Sequence, residues 1–317
     1  MSDTGRTGFG EAVALPGYSH ETSQSIQTTL DAVLPKLMGE RPDVSREMLL
    51  ACLHDHPFAA SAILSAWDMA EGTFDLPDSV RAPILHGLQG RDAAALLDQI
   101  EQKAADGFVT LKLKVGRDAH ADFELVSTLL DNCPQGLKIR IDANQGYTRE
   151  EARWFFSNLE KAQTEIIDLV EQPLSIDDWE GHRDLIAATS IPIMLDESIL
   201  DDNDVLRANS VGASFIKLKL AKHGGIDALL RLAKLARDQG MGVVLGNGVA
   251  TGLTNLVEGA IWQGNKDLFH GDLEANGFAR SAASSMIPMV QLQSRWLTWT
   301  RNPAGGEAVT LDEPRGG

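Results

Sequence analysis

The sequence LKLKVG at residues 111–116 is the clearest indication of the fold, because it alternates large apolar residues with lysines over one short run. Successive side chains of a β-strand point to opposite faces, so the run predicts a strand with Lys112 and Lys114 on one face and leucines on the other. Four later apolar runs also end on a charged residue: Asp142, Glu171, Asp196 and Lys219. Successive ends, starting from Lys114, are 28, 29, 25 and 23 residues apart. One strand–helix unit of a (β/α)₈ barrel uses roughly 31 residues, so the spacing predicts such a barrel.

Eight strand patterns follow one another from residue 82 onward and alternate with helical patterns, as in a series of βα units. We predict strands at 82–86, 109–115, 138–143, 166–171, 191–196, 214–220, 242–245 and 268–272, with helices at 92–106, 119–130, 149–161, 225–239 and 253–262. Eight units favour a closed barrel over an open doubly wound sheet, and no Gly-x-Gly-x-x-Gly motif follows the first strand. The predicted fold class is therefore α/β, a (β/α)₈-type barrel.

The residues before the barrel do not follow this rhythm and predict a smaller domain. Helices are expected there at 23–38 and 58–71, with Gly39 and Gly72 as their stop signals. We expect an α+β capping domain over residues 1–78 and a barrel domain over 79–280, whose active site lies at the C-terminal ends of the strands. A tail over 281–317 is expected to return toward the capping domain.

The composition is that of an ordinary globular protein and argues against several partners. The chain has 317 residues, 43% of them hydrophobic, and a formal net charge of −17. Such a surplus of acid argues against nucleic acid or an anionic membrane as a partner, and no apolar run reaches the about 18 residues of a membrane span. The polar N-terminus has no apolar signal core, so a cytoplasmic protein is expected, with Cys52 and Cys133 as reduced thiols.

The lysines of two strands are expected to point into the barrel. Helices cover the outside of a parallel barrel, so its strands have no solvated outer face on which a lysine could lie. Lys112 and Lys114 on one strand, and Lys217 and Lys219 on another, therefore predict ammonium groups near the barrel axis. A buried lysine is costly unless it is paired or functional, which favours a role in chemistry.

Three carboxylates at consecutive strand ends predict a metal site at the same barrel mouth. Asp142, Glu171 and Asp196 offer hard oxygen ligands, which suit Mg²⁺ with waters or substrate completing an octahedron; Mn²⁺ is the alternative ion. Taken singly, each acid has an ordinary explanation, since Asp142 could open a turn, Glu171 could lie in a surface loop and Asp196 could begin a helix. Their common register favours the metal.

A divalent cation between two lysines suits one kind of reaction. Removing a proton next to a carboxylate creates an enediolate, whose developing negative charge a cation must stabilise. A neutral lysine whose pKa is lowered by nearby positive charge can take that proton, and a second lysine can act on the opposite face of the substrate. Lys112 beside Lys114, and Lys217 beside Lys219, would supply part of that positive charge.

The ordered motifs of the chain resemble the enolase superfamily, and within it the muconate-lactonizing-enzyme subgroup of the mandelate racemase and muconate lactonizing enzyme family. The matching segments are GFGEA (8–12), AILSAWDM (62–69), LKLKVG (111–116), IDANQGY (141–147), VEQPL (170–174), LDES (195–198), LKLAKHGG (218–225) and GNGVATG (246–252). They span most of the chain. The mandelate racemase pattern, with a histidine at the end of the seventh strand, is not matched, because that position reads Gly246-Asn247-Gly248.

The resemblance implies roles for individual residues. It makes Lys114 the base on one face of the substrate and Lys219 the acid or base on the other, with Mg²⁺ on Asp142, Glu171 and Asp196. It gives supporting roles to Lys112, near the substrate carboxylate, to Asn144 and to Glu197. The remaining candidates for contact with the site or the substrate are Lys217, Asp272, Glu274, Tyr18 and His20.

Two departures from the family pattern bear on the substrate. Relatives have one or two strands before the GxGEA segment, which begins here at residue 8, so a short capping domain is expected. Dipeptide epimerases carry an Asp-x-Asp pattern on the eighth strand, where the two carboxylates hold an ammonium group. Cycloisomerases carry a Glu followed by Leu at this place. This chain reads Asp272-Leu273-Glu274, which is close to the first pattern and also allows the second.

The first hypothesis is a Mg²⁺-dependent racemase or epimerase that acts on an amino-acid derivative or a dipeptide. A cycloisomerase and a dehydratase similar to o-succinylbenzoate synthase stay open as alternatives. A hypothesis of another class is a non-catalytic barrel that keeps the metal site. A metal-dependent hydrolase is disfavoured, because no histidine lies at the metal strand ends. The expected partner is a small-molecule carboxylate, and the resemblance also allows a homo-oligomer.

Overall fold

A computed structural model describes residues 5–14, 20–162, 164–247, 250–275 and 295–300. Seven parallel strands in these residues form one curled sheet in sequence order, β2-β3-β4-β5-β6-β7-β8. Their bounds are His86–Gly87 (β2), Thr110–Lys114 (β3), Lys138–Asp142 (β4), Ile167–Glu171 (β5), Ile193–Leu195 (β6), Phe215–Leu218 (β7) and Gly242–Leu245 (β8). Parallel bridges from Ile84 to Leu273 and from Gly246 to Glu274 join the two edges of the sheet. The sheet thus closes on itself, and the predicted barrel class is confirmed.

Helices alternate with these strands and cover the outside of the barrel. They are Ala93–Ala105 (α4), Ala119–Asp131 (α5), Arg149–Leu159 (α6), Trp179–Ala187 (α7), Asp202–Val211 (α8), Gly225–Asp238 (α9) and Gly252–Gly264 (α10). Six of them begin with a side-chain oxygen that accepts a backbone N–H of the first turn, the usual helix cap; the capping residues are Asp92, Asp118, Thr148, Asp178, Asp201 and Thr251. In the described parts of the chain, no helix combines the length and the apolar character that crossing a bilayer requires.

The first and the eighth predicted strands were placed wrongly by several residues. Strand β1, Ser79–Pro83, pairs antiparallel with β9, Trp296–Thr300. The barrel strand that follows it is His86–Gly87, preceded by the single bridging residue Ile84. Proline has no N–H to donate to a ladder, which fits the end of β1 at Pro83. The eighth strand was predicted at 268–272, but residue 268 is the last residue of a 3₁₀ helix, Lys266–Leu268. Gly271, with a φ of 64°, then turns the chain before the bridging residues.

The N-terminal part of the chain adds three helices: Ser23–Leu37 (α1), Pro42–Cys52 (α2) and Pro57–Glu71 (α3). The segment GFGEA lies across α3, and a Cβ at Gly8 or Gly10 would come within 1.7 or 1.8 Å of backbone oxygens of that helix. Glycine is therefore required at both positions. The carboxylate of Glu11 accepts the Thr251 N–H at 2.6 Å, directly before α10, so this segment connects the N-terminal helices to the barrel.

Each of these two regions has an apolar core of its own. The largest apolar cluster of the described residues lies between the barrel strands and their helices. A smaller cluster lies among the N-terminal helices and consists of Val33, Leu37, Leu49, Ile63 and Leu64. Strand β9, which belongs to the predicted tail, lies against β1 at the start of the predicted barrel region. The division at residues 78 and 280 stays a prediction.

Candidate active site

The charged ends of β3, β4 and β5 lie at one level of the barrel. The strand register pairs Lys114 with Asp142, and Asp142 with Glu171. Asp196 directly follows β6, and Lys219 directly follows β7. Since strand order equals sequence order, the three carboxylates form an arc along the C-terminal edge of the sheet. Lys114 stands at one end of this acid arc and Lys219 at the other.

The backbone just after β4 and β5 is left-handed at three residues other than glycine. Asn144, Gln145 and Gln172 have φ angles of 42°, 66° and 38°. Residues with a Cβ rarely adopt such angles, and those that do cluster at functional sites. The Asn144 side chain accepts from Lys114 Nζ at 2.5 Å and donates through Nδ2 to Glu197 Oε1 at 3.0 Å. Asn144 thereby links an end of the acid arc to the loop after β6.

A closed ring of alternating charges joins Glu171 of the acid arc to side chains that start one layer deeper in the barrel. Lys112 Nζ lies 2.8 Å from Glu171 and 2.7 Å from Glu274, and Lys217 Nζ lies 3.0 Å and 2.7 Å from the same two acids. No side chain of this four-residue ring is more than 7% exposed. Burial alone would lower the pKa of Lys112, but the surrounding carboxylates raise it well above its ordinary value. Each carboxylate therefore bridges two ammonium groups.

Asp196 is held by lysines that follow β7 and by a glutamine that follows β5. Its Oδ2 accepts from Lys219 Nζ, and its Oδ1 lies 3.2 Å from Lys222 Nζ. Gln172 accepts the Asp196 N–H at 2.9 Å and donates to Ser198 Oγ at 2.7 Å, so it ties the end of β5 to the end of β6. Sequence reasoning gave no role to Gln172 or Lys222, although both lie in the segments VEQPL and LKLAKHGG.

The carboxyl groups of the acid arc differ in how readily they take up a proton. Burial raises the pKa of Glu171 to about 7; the Asp142 carboxylate adds to the rise, and the ammonium groups of Lys112 and Lys217 limit it. Burial acts in the same direction on Asp142 and Asp196, but nearby lysines outweigh it and lower the pKa of both. Near neutral pH, Glu171 is thus the acid of the arc that protonates most readily.

The chemistry of the three acids suits a hard divalent ion, but their arrangement here does not. Within the described residues, no three His, Cys, Asp or Glu side chains are placed so that they could hold one metal ion together. Both oxygens of Glu171 accept from lysines, and Asp142 Oδ2 lies 2.9 Å from Lys112 Nζ. Ammonium groups therefore take the oxygens that the sequence assigns to Mg²⁺.

The two acids of the eighth strand lie at different depths. Glu274 belongs to the four-residue ring, and Arg140 Nη1 lies 3.8 Å from it. Asp272 is buried and bonds to Thr110, the first residue of β3, at the N-terminal end of the barrel. It also lies 3.5 Å from Arg295. The structure thus brings Glu274 to the site and places Asp272 at the opposite end from Lys114.

The two candidates from the N-terminal loop are not brought to the acid arc by any described contact. His20 is exposed, and its Nε2 lies 2.7 Å from the carbonyl oxygen of Asp55. Tyr18 lies outside the described residues. Contact of either residue with a substrate stays a prediction.

His223 holds the backbone next to Lys219, a role that the sequence did not indicate. It is fully buried, its Nδ1 lies 2.9 Å from the Lys219 nitrogen, and its Nε2 lies 3.1 Å from the carbonyl oxygen of Ile199. A neutral ring that donates through Nε2–H to Ile199 accepts the Lys219 N–H at Nδ1, which also lies 2.8 Å from the Lys219 carbonyl oxygen. Burial lowers the pKa of His223 to about 3, and the Lys222 ammonium adds to the fall. The imidazole is therefore neutral at physiological pH.

Replacing His223 with leucine should make the stability of the protein less dependent on pH. The folded protein keeps this imidazole neutral down to about pH 3, whereas the unfolded chain protonates it below about pH 6.5. The unfolded state binds more protons in this window, so wild-type stability falls as pH falls from about 6.5 toward 3, by at most about 1.4 kcal/mol per pH unit from this group. Urea unfolding at about pH 7.5 and about pH 5 measures the effect. The variant should be less stable at the higher pH, and an equal decline with pH in both proteins would contradict the assignment.

Comparison with known proteins gives a consistent set of relatives. A family model described as enolase C-terminal domain-like matches residues 95–262. The L-Ala-D/L-Glu epimerase of Bacillus subtilis (strain 168) is 31% identical over 79% of this chain and 72% of the epimerase. The o-succinylbenzoate synthase of Listeria innocua is 28% identical over 98% of this chain and 85% of the synthase. The solved dipeptide epimerase of Enterococcus faecalis V583 shares the fold, with a TM-score of 0.80 at 24% identity over 97% of this chain and 90% of that one.

Proposed function

The chain belongs to the enolase superfamily, in the subgroup of mandelate racemase and muconate lactonizing enzyme, and on that basis we propose that it removes the proton α to a carboxylate. The observation that carries the proposal is the order of two lysines and three acids along one edge of the barrel. Loss of that proton gives an enediolate, whose negative charge needs a cationic site. The relatives include epimerases and an o-succinylbenzoate synthase, so an isomerase is the first candidate.

Epimerisation of a dipeptide, or racemisation of another amino-acid derivative, is the reaction that this arrangement supports best. Lys114 and Lys219 stand at opposite ends of the acid arc, so a substrate bound along the arc would present one face of its α-carbon to each lysine. One neutral lysine would remove the proton, and the ammonium group of the other would return a proton to the opposite face. This inverts the configuration, and the reverse reaction exchanges the two roles.

The two proposed proton carriers are held differently. Lys114 contacts Asn144 and Asp142, and its side chain is 67% exposed in the described structure. Lys219 contacts Asp196, and its side chain is 4% exposed. Lys114 should therefore exchange its protons with water faster than Lys219 does.

Membership of this family implies the use of a divalent metal, and we propose Mg²⁺, with Mn²⁺ as a substitute, on Asp142, Glu171 and Asp196. The acid arc offers the right kind of oxygen. Lysines hold those oxygens in the present arrangement, so the proton transfers above are assigned to side chains of this chain alone.

A dehydratase similar to o-succinylbenzoate synthase is the second candidate. The relative with that name matches 98% of this chain. The unequal exposure of Lys114 and Lys219 also fits a reaction in which one lysine moves the proton and the other steadies the enediolate. A cycloisomerase remains the third candidate.

Proton exchange in D₂O tests the proposal and separates these candidates. The protein would be incubated with MgCl₂ and a panel of dipeptides, N-acyl amino acids, β-hydroxy carboxylic acids and lactone acids, and the α-proton would be followed by NMR. Deuterium at the α-carbon of both epimers is the expected result. Loss of water without epimer formation would favour the dehydratase, and no exchange with any member of the panel would contradict α-proton abstraction.

We also propose that the helices α1–α3 cap the barrel mouth. The contact of Glu11 with the residue before α10 supports this, since it ties the N-terminal segment to the barrel. A cytoplasmic location and a homo-oligomer remain proposals from the sequence.

A further inference from the structure

Lys217 lies between two of the proposed metal ligands. Its Nζ is 3.0 Å from Glu171 Oε1 and 3.7 Å from Asp196 Oδ2, and its third acidic contact is Glu274 at 2.7 Å. The side chain is 1% exposed. An ammonium group in this place meets the same oxygens that a bound divalent ion would need.

The position of this ammonium group is fixed by the barrel. Lys217 lies on β7, level with Val244 of β8, and it shares the inward face with Lys219 two residues later. Its two ring partners hold it from both sides, and Glu171 has its other oxygen on Lys112. Because the Lys217 side chain is buried inside the barrel, its ammonium group cannot move out to solvent when a metal ion binds.

A metal ion on Glu171 would lie close to this fixed charge. Mg²⁺ binds carboxylate oxygen at about 2.1 Å, so an ion on Glu171 Oε1 would lie within about 5 Å of Lys217 Nζ in any direction, given the 3.0 Å contact. Repulsion between cations at that distance is strong in a buried site, where salt screens it little. Lys217 therefore opposes metal binding at the acids that it holds.

We propose that Lys217 is a built-in counter-cation, which holds Glu171 and Asp196 together in the metal-free protein and weakens their binding of a divalent ion. The alternative is that Lys217 only balances the buried charge of Glu274, in which case its removal would not change metal affinity once Glu274 is also neutral. Measurements of metal affinity and of stability without metal distinguish these two roles of Lys217, and neither measurement requires turnover.

The experiment compares Mg²⁺ and Mn²⁺ binding to the full chain by isothermal titration calorimetry, together with thermal midpoints in EDTA. Lys217→Met should tighten binding of both ions by on the order of tenfold or more, because one buried positive charge near the ion is removed. Its midpoint in EDTA should fall, and saturating Mg²⁺ should raise it further than it raises the wild-type midpoint.

Three further variants keep the test decisive if Lys217→Met folds poorly. The double variant Lys217→Met with Glu274→Gln removes one charge of each sign, and it should still bind metal more tightly than the wild type. Glu274→Gln alone should not. Lys234→Met, at an exposed position on α9, controls for net charge and should bind as the wild type does. If neither protein that lacks Lys217 binds metal more tightly than the wild type, the proposal is overturned.

Discussion

Lys114→Ala is expected to lower kcat by about 10²- to 10⁴-fold, because it removes the proton carrier from one face of the substrate. Its side chain is largely exposed at the end of β3, so the free energy of unfolding of the variant should lie within about 0.5 kcal/mol of the wild-type value. Lys219→Ala should lose a similar share of activity. It should also be less stable, because buried Asp196 loses a charged partner.

The same two variants should separate the two faces of the substrate. In D₂O, Lys114→Ala should still exchange the α-proton of the epimer that faces Lys219, and Lys219→Ala that of the other epimer. Lys138→Ala is the matched control, because Lys138 begins β4 at the opposite end of the barrel and donates to the backbone of Glu165. It should react as the wild type does. Equal exchange of both epimers by both variants would contradict a two-lysine mechanism.

Asp68→Ala is expected to cost about 3–5 kcal/mol of unfolding free energy, because it breaks a buried charged contact between the N-terminal helices and the barrel. Asp68 lies on α3 with no exposed side-chain surface and pairs with Arg46. Its Oδ2 accepts the N–H groups of Ile226 and Asp227 at 2.8 and 3.0 Å. These are at the start of α9, where a negative charge also interacts favourably with the helix dipole.

Asp227→Ala is the control for Asp68→Ala. Asp227 also lies near Arg46, at 3.4 Å, but its side chain is 60% exposed. Exposed ion pairs contribute about 1 kcal/mol or less, so the control should stay close to the wild type in urea unfolding. A loss for Asp68→Ala no greater than that of Asp227→Ala would show that this contact does not join the two regions.

The interior position of Lys112 and Lys217 followed from the sequence, because a strand has a period of two and helices cover the outside of a parallel barrel. Both side chains are indeed buried. The acid arc was predictable for the same reason, since the charged residues end consecutive strands at regular spacing. The positions of Lys114 and Lys219 at its two ends were also predictable, because the strand order equals the sequence order.

The pairing within the four-residue ring did not follow from the sequence, because it depends on how the barrel closes. Glu274 meets Lys112 across 162 positions of the chain, and the predicted eighth strand ended at residue 272, before the bridging residue. The roles of Gln172 and His223 could not be predicted for another reason. They act on backbone groups of their neighbours, and no pattern of side chains marks such contacts.

A crystal structure of the protein with a bound dipeptide or N-acyl amino acid would show directly whether two lysines serve opposite faces of one α-carbon. We expect the α-carbon to lie between the Nζ atoms of Lys114 and Lys219, with one lysine on each face and the substrate carboxylate toward the acid arc. A substrate with both lysines on the same face of its α-carbon, or bound away from either of them, would contradict that arrangement.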